Sequence, residues 1–413
     1  MPPFKIVVIG GGAAGFFGAI TAAETFPAAE VVLLEKSKTV LNKVRISGGG
    51  RCNVTHSCFD NRKLIKNYPR GESFLRPLLK QFDATSTVNW FESRGIRLKT
   101  EADGRMFPVT DLSETIISCL LQEARRVGVQ IRTSCGVKSL LPSASSWQIE
   151  LLSGEFLEVD RVLIAVGGYP QAASYGWIPG LDETGQPNTT LVSPVPSLFT
   201  FNTPDNPLLS LAGVAVPDAV IRVSGTKQEQ RGPVLITHWG FSGPAVLRLS
   251  AWAARELAEL NYTHEIRINW LAALNENQVR EQMQNYRQQH PKKQVATQSL
   301  FGLPARLWSA LAAEAGISTV ERWGELPGKS QNRLINLLTN STFAVSGKST
   351  FKEEFVTCGG IATDALKPET LESRTHPGLF FAGEVLDVDG ITGGFNFQNA
   401  WTTGYVAGKN IGK

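Results

Sequence analysis

Short apolar runs alternate with longer segments of helical periodicity in the first part of the chain. Residues 5–9 and 31–34 are β-branched and leucine-rich runs, of the length typical of strands that are covered on both faces. The segment 13–25 between them, and the later segment 112–126, have the length and the apolar spacing of helices. The order of strand, helix and strand predicts an α/β domain at the start of the chain.

A later apolar run, residues 161–165, predicts another buried strand of the same domain. Gly167 and Gly168 follow it, and we interpret them as a strand end at which the backbone lies close to a ligand. A simple turn is the alternative interpretation.

The character of the sequence changes in the proline-rich stretch 187–207. We place a domain boundary near Pro196, because these prolines break helical continuity. Beyond it, short alternating strands predict an inserted β-barrel, and helical periodicity then predicts a small helical subdomain. The predicted organisation is a first domain in two parts, residues 1–196 and 351–413, with a barrel at 197–270 and 334–350 and helices at 271–333.

The turn after the first strand carries a glycine-rich motif. Gly10, Gly12 and Gly15 are spaced as in G-x-G-x-x-G, where they serve the turn, the approach of a pyrophosphate and the packing of helix on strand. The following helix offers free N–H groups and its positive dipole end to the phosphates. Glu35 closes the second strand, where an acid can accept hydrogen bonds from both hydroxyls of an adenosine ribose. These features predict dinucleotide binding; the alternative is a glycine-rich turn in an ordinary α/β domain.

A second element, near the other end of the chain, indicates which dinucleotide the protein binds. The apolar run 380–382 ends in Gly383 and Glu384, and the chain then passes through Gly393 and Gly394 into a helical segment. An acid in this place suits the ribityl hydroxyls of a flavin, and a helix N-terminus aimed at the ring stabilises the charge of its reduced form. The two terminal elements together predict FAD.

The stretch 47–53 combines three glycines with Arg51 and Asn53. It predicts a loop whose N–H groups and cationic side chain suit a pyrophosphate or the polar edge of a flavin. A mobile surface loop is the alternative. Cys52 is a candidate nucleophile, but the sequence offers no adjacent base and no second cysteine, so we do not expect a redox or covalent role.

Three residues are candidates for the chemical step: Arg51, His238 and Asn396. His238 ends a predicted strand of the inserted domain and could bring an acid or base to the substrate side of the flavin. A hydrogen-bonded structural histidine is an equally good interpretation. Asn396 lies at the predicted helix start beside the flavin. The alternative interpretation of this residue is a helix N-cap without a cofactor.

Composition and charge exclude several other classes. The chain of 413 residues has a net charge of +4, which does not by itself argue for nucleic acid binding. Its five cysteines include no C-x-x-C pair, so neither a disulfide framework nor a metal site is expected. No apolar stretch is long enough for a membrane span, and glycines interrupt the apolar N-terminus, which argues against a signal peptide. We expect a cytoplasmic protein that binds neither membrane nor DNA.

Taken together, these motifs resemble the BaiN-like family of FAD-dependent oxidoreductases over essentially the whole chain. The resemblance implies a glutathione-reductase-type FAD domain with an inserted β-barrel and a small helical domain, and it implies non-covalent FAD. Activities linked to relatives are aminoacetone oxidation, reduction of enone bile-acid intermediates and reduction of a uridine in large-subunit ribosomal RNA. The residues that carry the likeness are 10–15, 47–53, 104–108, 211–214, 237–244, 359–360 and 383–399.

The chain departs from the family pattern at residues 165–170, where Val166 replaces the usual threonine and the segment that follows is shortened. The departure leaves the flavin fold intact but argues against a direct transfer of any relative's substrate. Residues 211–217 and 290–291 are most similar to the branch that reduces uridine.

We therefore predict an FAD-dependent oxidoreductase that performs hydride transfer, with reduction of a ribosomal RNA uridine by NAD(P)H as the preferred reaction. A small-molecule oxidase or enone reductase is the competing enzyme, and a flavin-bearing redox sensor without turnover is the alternative from another class. NAD(P)H would bind transiently at the flavin face, since the chain has no second G-x-G-x-x-G motif. The predicted cofactor-binding residues are Gly10, Gly12, Ala13, Ala14, Gly15, Glu35, Lys36, Lys43, Ser47, Gly48, Gly49, Gly50, Arg51, Cys52, Asn53, Val137 (at the adenine), Gly167, Gly168, Gly383, Glu384, Gly393, Gly394, Phe395, Asn396, Phe397 and Gln398.

Overall fold

A computed structural model describes residues 4–143, 146–180, 191–272, 274–349 and 356–413. The chain divides into two compact units: Met1–Ser197 with Phe351–Lys413 form the first, and Leu198–Thr350 form the second. The proline at 187 and the predicted boundary at 350–351 lie outside the described residues.

Both units contain helices and strands. Among the described residues the strands are β1 (Lys5–Ile9), β2 (Glu30–Leu34), β3 (Thr55–His56), β4 (Leu98–Thr100), β5 (Arg105–Pro108), β6 (Gln130–Arg132), β7 (Val137–Ser143), β8 (Ser146–Leu151), β9 (Phe156–Val159), β10 (Arg161–Ile164), β11 (Leu191–Ser197), β12 (Thr200–Asn202), β13 (Ala215–Val223), β14 (Glu229–Ile236), β15 (Gly240–Ser242), β16 (Thr263–Asn269), β17 (Ser341–Ser346), β18 (Lys348–Ser349), β19 (Val356–Ile361) and β20 (Leu379–Phe381). The helices are α1 (Ala13–Thr25), α2 (Asn42–Gly50), α3 (Asn61–Leu64), α4 (Glu72–Leu78), α5 (Ala84–Glu92), α6 (Ser113–Arg126), α7 (Pro244–Trp252), α8 (Ala254–Glu259), α9 (Glu276–Gln289), α10 (Ala305–Glu314), α11 (Gly328–Asn340) and α12 (Phe395–Asn410).

A five-stranded parallel sheet forms the centre of the first unit, in the order β20, β10, β1, β2 and β6. Its inner strands are buried, as their continuous apolar runs predict; Val7, Leu33 and Leu163, for example, are almost wholly shielded from solvent. The predicted α/β class is therefore confirmed. Because β20 belongs to the C-terminal segment, both ends of the chain contribute to one sheet.

Helix α1 packs against α12 with their backbones close together. A Cβ atom on Gly404 would lie 2.6 Å from the Ala14 carbonyl oxygen, so no larger residue fits there without a shift of the backbone. Next to this contact, the ring of Phe17 lies with its centroid 4.5 Å from Trp90 and 5.0 Å from Trp401. This aromatic core fixes the position of the C-terminal helix on the N-terminal one.

Three smaller antiparallel sheets complete the first unit. They are the β7–β8–β9 meander, the β3–β5–β4 sheet and the pair β11–β19. The last pair joins the strand that leaves the first unit to the strand that returns to it.

The second unit contains a seven-stranded antiparallel sheet, in the order β17, β16, β13, β14, β15, β12 and β18. Its strands cover the segments for which the sequence predicts a β-barrel. The predicted helical segment, residues 271–333, contains α9 and α10. Helix α11 extends beyond it to Asn340, into residues 334–350 that the sequence assigned to the barrel. The reason is that Leu334, Ile335 and Leu338 lie at helical spacing and are buried.

Among the described residues, no helix is both long enough and apolar enough to cross a bilayer.

Candidate functional site

The carboxyl ends of four parallel strands bring the predicted residues together. Gly10 follows β1, Glu35 follows β2, Gly167 follows β10 and Glu384 follows β20. Parallel strands end at the same edge of a sheet, and this edge is where α/β sheets bind ligands. Of the other predicted residues, Ala13 and Ala14 open α1, and Val137 opens β7.

The three glycines of the N-terminal motif have different surroundings. Gly10 has φ +115°, and a Cβ there would lie 2.4 Å from the Ala165 carbonyl oxygen. A Cβ on Gly15 would lie 1.9 Å from the Gly10 carbonyl oxygen, so the helix can pack on the turn only with a glycine here. A Cβ on Gly12 would meet nothing within 4 Å. The start of α1 therefore presents open backbone, and the N–H groups of its first turn can bind an anion.

Two backbone N–H groups orient the carboxylate of Glu35. The N–H groups of Gly11 and Ser37 each donate to one of its oxygen atoms at 2.8 Å. Each oxygen keeps a lone pair for a further donor such as a ribose hydroxyl. The neighbouring Lys36 is exposed, and its Nζ lies 5.4 Å from the ring centroid of Tyr169.

Elements that are far apart in sequence meet at Glu384. Lys43 Nζ donates to its Oε2 at 2.6 Å, and the Thr357 N–H donates to its Oε1 at 3.0 Å. A Cβ on Gly168 would lie 3.1 Å from the same Oε1. The Glu384 side chain is 17% exposed and the Lys43 side chain is 49% exposed, so solvent still screens the lysine end of the ion pair. Sequence reasoning missed Thr357, because a backbone donor gives no side-chain signal.

The stretch 47–53 continues helix α2 and then turns. Ser47, Gly48 and Gly49 have non-helical backbone angles, with φ +59° at Gly48 and +70° at Gly49. A Cβ on Gly49 or Gly50 would meet nothing within 4 Å, so this turn is a second place with open backbone.

Arg51 is fixed by two acids and an aromatic ring. Its Nη1 donates to Glu101 at 2.6 Å and lies 3.7 Å from Asp111, and its guanidinium carbon lies 4.0 Å from the ring centroid of Phe107. The hydrogen bond to Glu101 is the main reason that the pKa of Arg51 is raised above its usual value. Arg51 is therefore a fixed cation and not a proton donor.

Cys52 is fully buried within the same turn, where its N–H donates to the Ser47 carbonyl at 3.0 Å. Burial raises the pKa of the Cys52 thiol to about 12. The thiol therefore stays protonated at neutral pH, and a thiolate nucleophile is not formed.

Asn53 positions the start of α12. In the amide orientation that satisfies its neighbours, its Oδ1 accepts the Gly394 N–H at 2.9 Å and its Nδ2 donates to the Thr55 carbonyl at 3.0 Å. Gly394 has φ +92°, and a Cβ there would lie 2.6 Å from the Thr55 carbonyl oxygen, so only glycine fits. The first N–H groups of α12 have no acceptor within the helix.

The two predicted polar residues of α12 are bonded within the protein. Asn396 Oδ1 accepts the Gly390 N–H at 2.8 Å and its Nδ2 donates to the Gly390 carbonyl at 2.9 Å. Gln398 is fully buried, and its Oε1 accepts the hydroxyls of Thr55 at 2.6 Å and Thr87 at 2.9 Å. We correct the prediction for Gln398, because its side chain holds α12 on the protein core and does not face a ligand. Asn396 keeps one N–H and one lone pair, so its catalytic role stays a prediction.

The aromatic residues at the start of α12 pack beside a histidine that sequence reasoning missed. The ring of Phe395 stacks on His56 with centroids 4.9 Å apart, and Phe397 stacks on Trp401 at 5.7 Å. Burial lowers the pKa of His56, whose Nε2 lies 3.1 Å from the Asp103 carbonyl oxygen. No motif could have pointed to His56, because its strand is only two residues long.

His238 lies in the second unit, two residues after the end of β14, and its side chain is exposed. A turn holds this position, since the Thr237 N–H donates to the Gly240 carbonyl at 2.8 Å. Within the described parts of both units, no group of three or more histidines, cysteines or acids could hold a metal ion.

The sheet and the residues at its carboxyl edge define the class of protein, a flavin-dependent oxidoreductase built on a Rossmann-type domain. The chain belongs to the family described as HI0933-like protein Rossmann domain, whose model matches residues 4–410. The predicted resemblance to BaiN-like oxidoreductases is thereby confirmed.

Two relatives align with the chain over nearly their whole length. A 3-dehydro-bile acid delta(4,6)-reductase of Clostridium scindens is 31% identical over 408 residues, which cover 98% of each protein. A ribosomal RNA dihydrouridine synthase of Escherichia coli is 29% identical over 416 residues, which cover 100% of this chain and 98% of the relative.

Solved structures of flavoenzymes share the fold. The open conformation of a flavocytochrome c3 fumarate reductase has a TM-score of 0.50 and 17% identity, with 99% of this chain and 78% of that chain covered. The 3-ketosteroid delta1-dehydrogenase of Sterolibacterium denitrificans has a TM-score of 0.50 and 12% identity, with 98% of both chains covered.

Proposed function

We propose that the protein binds FAD non-covalently and uses hydride from NAD(P)H to reduce a carbon–carbon double bond that is conjugated to a carbonyl group. The names of the two relatives describe reactions of this type. A 3-keto group is conjugated to a delta(4) double bond, and dihydrouridine is uridine whose ring double bond beside a carbonyl has been saturated. The proposal therefore covers an enone and a uridine as alternative substrates of one reaction type.

The observation that carries the proposal is that open backbone at Gly12 and two oriented acids, Glu35 and Glu384, lie at one edge of the sheet. The open start of α1 at Gly12 suits the pyrophosphate. Glu35 suits the adenosine ribose, and Glu384, oriented by Lys43, suits the ribityl chain. The start of α12 at Gly394 suits the ring. An elongated dinucleotide needs such a series of contacts, whereas a small anion would use only one of them.

FAD, when bound, supplies the two-electron carrier between the nicotinamide and the substrate. The chain's own contribution is electrostatic. The positive end of the α12 dipole favours negative charge beside it. His238, an exposed imidazole of the second unit, stays a prediction for the donor of the proton that must reach the second substrate carbon.

Reduction of uridine in large-subunit ribosomal RNA is the finer form of the proposal. One observation favours it: the segment after α9 exposes Lys292 and Lys293, which can contact RNA phosphates. Reduction of a small enone is the competing form, and it is supported by the more similar of the two relatives.

A flavin titration tests the first part of the proposal. Purified protein should bind one FAD, and NADH or NADPH should then bleach the flavin absorbance in an anaerobic stopped-flow experiment. Rapid return of the absorbance on addition of an acceptor identifies an enzyme and rejects the redox-sensor alternative. Protein that gains no flavin spectrum after addition of FAD contradicts the proposal.

The acceptor then separates the substrates. The reduced protein is mixed with a 4-ene-3-ketosteroid in one arm and with unmodified large-subunit ribosomal RNA in the other. Products are read by mass spectrometry as the saturated ketone or as dihydrouridine. Hydrogen peroxide formed from aminoacetone without NAD(P)H would select the oxidase alternative. A deletion strain whose ribosomal RNA keeps all its dihydrouridine would reject the RNA form.

A further inference from the structure

A buried ion pair lies shortly before α12. Asp389 is 0% exposed and the Arg70 side chain is 14% exposed. Arg70 Nε donates to Asp389 Oδ1 at 2.6 Å, its Nη2 donates to Oδ2, and the Ser197 hydroxyl donates to the same Oδ2 at 2.8 Å. Apolar residues of similar volume often serve stability as well as a buried ion pair does, because the charges lose their hydration. The pair therefore points to a need for fixed geometry.

Asp389 belongs to the loop 388–394, which connects the Glu384 region to α12. The segment 67–71, which contains Arg70, contacts this loop and the helix start on either side of the pair. The Ile391 N–H donates to the Asn67 carbonyl at 2.9 Å, and the Tyr68 hydroxyl donates to the Phe395 carbonyl at 2.8 Å. The loop and the helix start are thus held at three residues: Asp389, Ile391 and Phe395.

Close packing limits the loop further. Gly71 has φ +90°, and a Cβ there would lie 2.6 Å from a methyl carbon of Val388, so a side chain at residue 71 would overlap that of Val388. Asn396 closes the far side of the loop through its two hydrogen bonds to Gly390. Little freedom remains for the loop as long as its central acid stays in place.

We propose that Arg70 is a positioning residue, which acts through Asp389 to fix the loop 388–394 and thereby the N–H groups at the start of α12 against the flavin. The proposal rests on the function proposed above, in which those N–H groups stabilise the reduced ring. A guanidinium is suited to the task, because its planar fork fixes a carboxylate at two points, whereas an ammonium group does not.

The test compares Arg70→Met and Arg70→Lys with the wild type, each loaded with FAD. The midpoint potential of the flavin is measured by equilibration with a redox dye, and the FAD dissociation constant by fluorescence. In Arg70→Met we expect the affinity for reduced relative to oxidised flavin to fall about tenfold, which lowers the potential by about 30 mV for a two-electron couple. Arg70→Lys should recover part of the shift.

Arg94→Met is the matched control. Arg94 belongs to the same unit, is 18% exposed, and donates to Glu123 at 2.9 Å and to Glu24 at 3.1 Å, so its loss removes similarly shielded ion pairs at other residues of the unit. We expect a lower melting temperature in this variant and an unchanged midpoint potential. Comparison of the Arg70 and Arg94 variants separates an effect on the flavin potential from a general loss of stability.

The variant Arg70→Met with Asp389→Leu removes both charges. We expect this change to restore the melting temperature without restoring the potential. Potentials of both Arg70 variants that equal the wild-type value would overturn the positioning role. If Arg70→Met does not fold, the midpoint potentials of Arg70→Lys and Ser197→Ala are compared with the wild-type value instead. A wild-type protein that binds no FAD would overturn the proposed function together with this inference, whereas normal wild-type binding with unshifted variants would overturn the inference alone.

Discussion

Gly383 and Ala14 lie so close that a Cβ atom on Gly383 would be 2.7 Å from the Cβ of Ala14. One residue follows the last strand of the parallel sheet and the other belongs to the first turn of the N-terminal helix. The contact joins the two terminal elements from which the flavin site is predicted, and it leaves no room for a side chain between them.

Replacement of Gly383 by alanine should weaken both the fold and flavin binding. The new methyl group would overlap Ala14, and the residue would have to keep φ +81°, which is unfavourable for alanine. Strain and overpacking of this kind cost about 2–4 kcal/mol together. We expect a loss of this size in the free energy of unfolding by urea, and FAD binding weaker by about tenfold or more.

Gly95→Ala is the control for this prediction, because Gly95 has φ +80° but a Cβ there would meet nothing within 4 Å. It therefore tests the backbone cost without the overlap. Equal losses in the two variants would show that the contact between the termini does not matter.

Glu384→Gln should reduce FAD affinity about tenfold with little change in stability. The amide keeps the shape of the side chain but loses the negative charge that pairs with Lys43. Isothermal titration of the apoprotein with FAD measures the effect. Glu92→Gln, a change of an exposed acid on α5, is the control and should leave the affinity unchanged. An unchanged affinity in Glu384→Gln would contradict the assignment of this acid to the flavin.

Cys52 should resist alkylation in the folded protein. Burial holds the pKa of its thiol at about 12, so both access and thiolate formation are suppressed at about pH 8. Iodoacetamide labelling followed by peptide mass spectrometry should modify the half-buried Cys135 before Cys52. The rate of flavin reduction in Cys52→Ala should stay within about twofold of the wild type, since no step requires the thiol. Rapid labelling of Cys52, or a large loss of rate, would restore a redox role for it.

His264 should make the second unit less stable in mild acid. Burial lowers the pKa of His264 to about 4, from an ordinary value of 6.5. Between these values the unfolded chain binds a proton that the folded chain does not, so stability is full above about pH 6.5 and falls as the pH drops towards 4. Urea unfolding at several pH values in this range measures the slope.

His264→Leu should flatten this dependence, since neither ring nitrogen has a hydrogen-bond partner among the described residues and no bond is lost. His238→Leu, at an exposed position, should leave the slope as it is in the wild type. A slope that persists in His264→Leu would assign the effect to other groups.

Local spacing in the sequence predicted much of the candidate flavin site. Gly10, Gly12 and Gly15 reveal a turn because backbone geometry requires glycine at fixed intervals. The sequence gives no comparable indication for Thr357, His56 and Arg70. Each lies in a segment without a motif, and only the folded chain brings it next to the predicted residues. Gln398 shows the opposite error: its position beside the helix start suggested a ligand contact, but helical rotation turns its side chain into the core.

The amino-acid sequence by itself determined the α/β class, the strand and helix that open the chain, and the two glycine-rich elements that specify a flavin. These follow from short-range rules, since periodicity and glycine spacing act within one or two elements. Only the tertiary structure decided that Lys43 faces Glu384, that Asp389 is neutralised by Arg70, and that Cys52 is shielded from water. Burial and charge pairing depend on which distant segments meet, and that depends on how the whole chain packs.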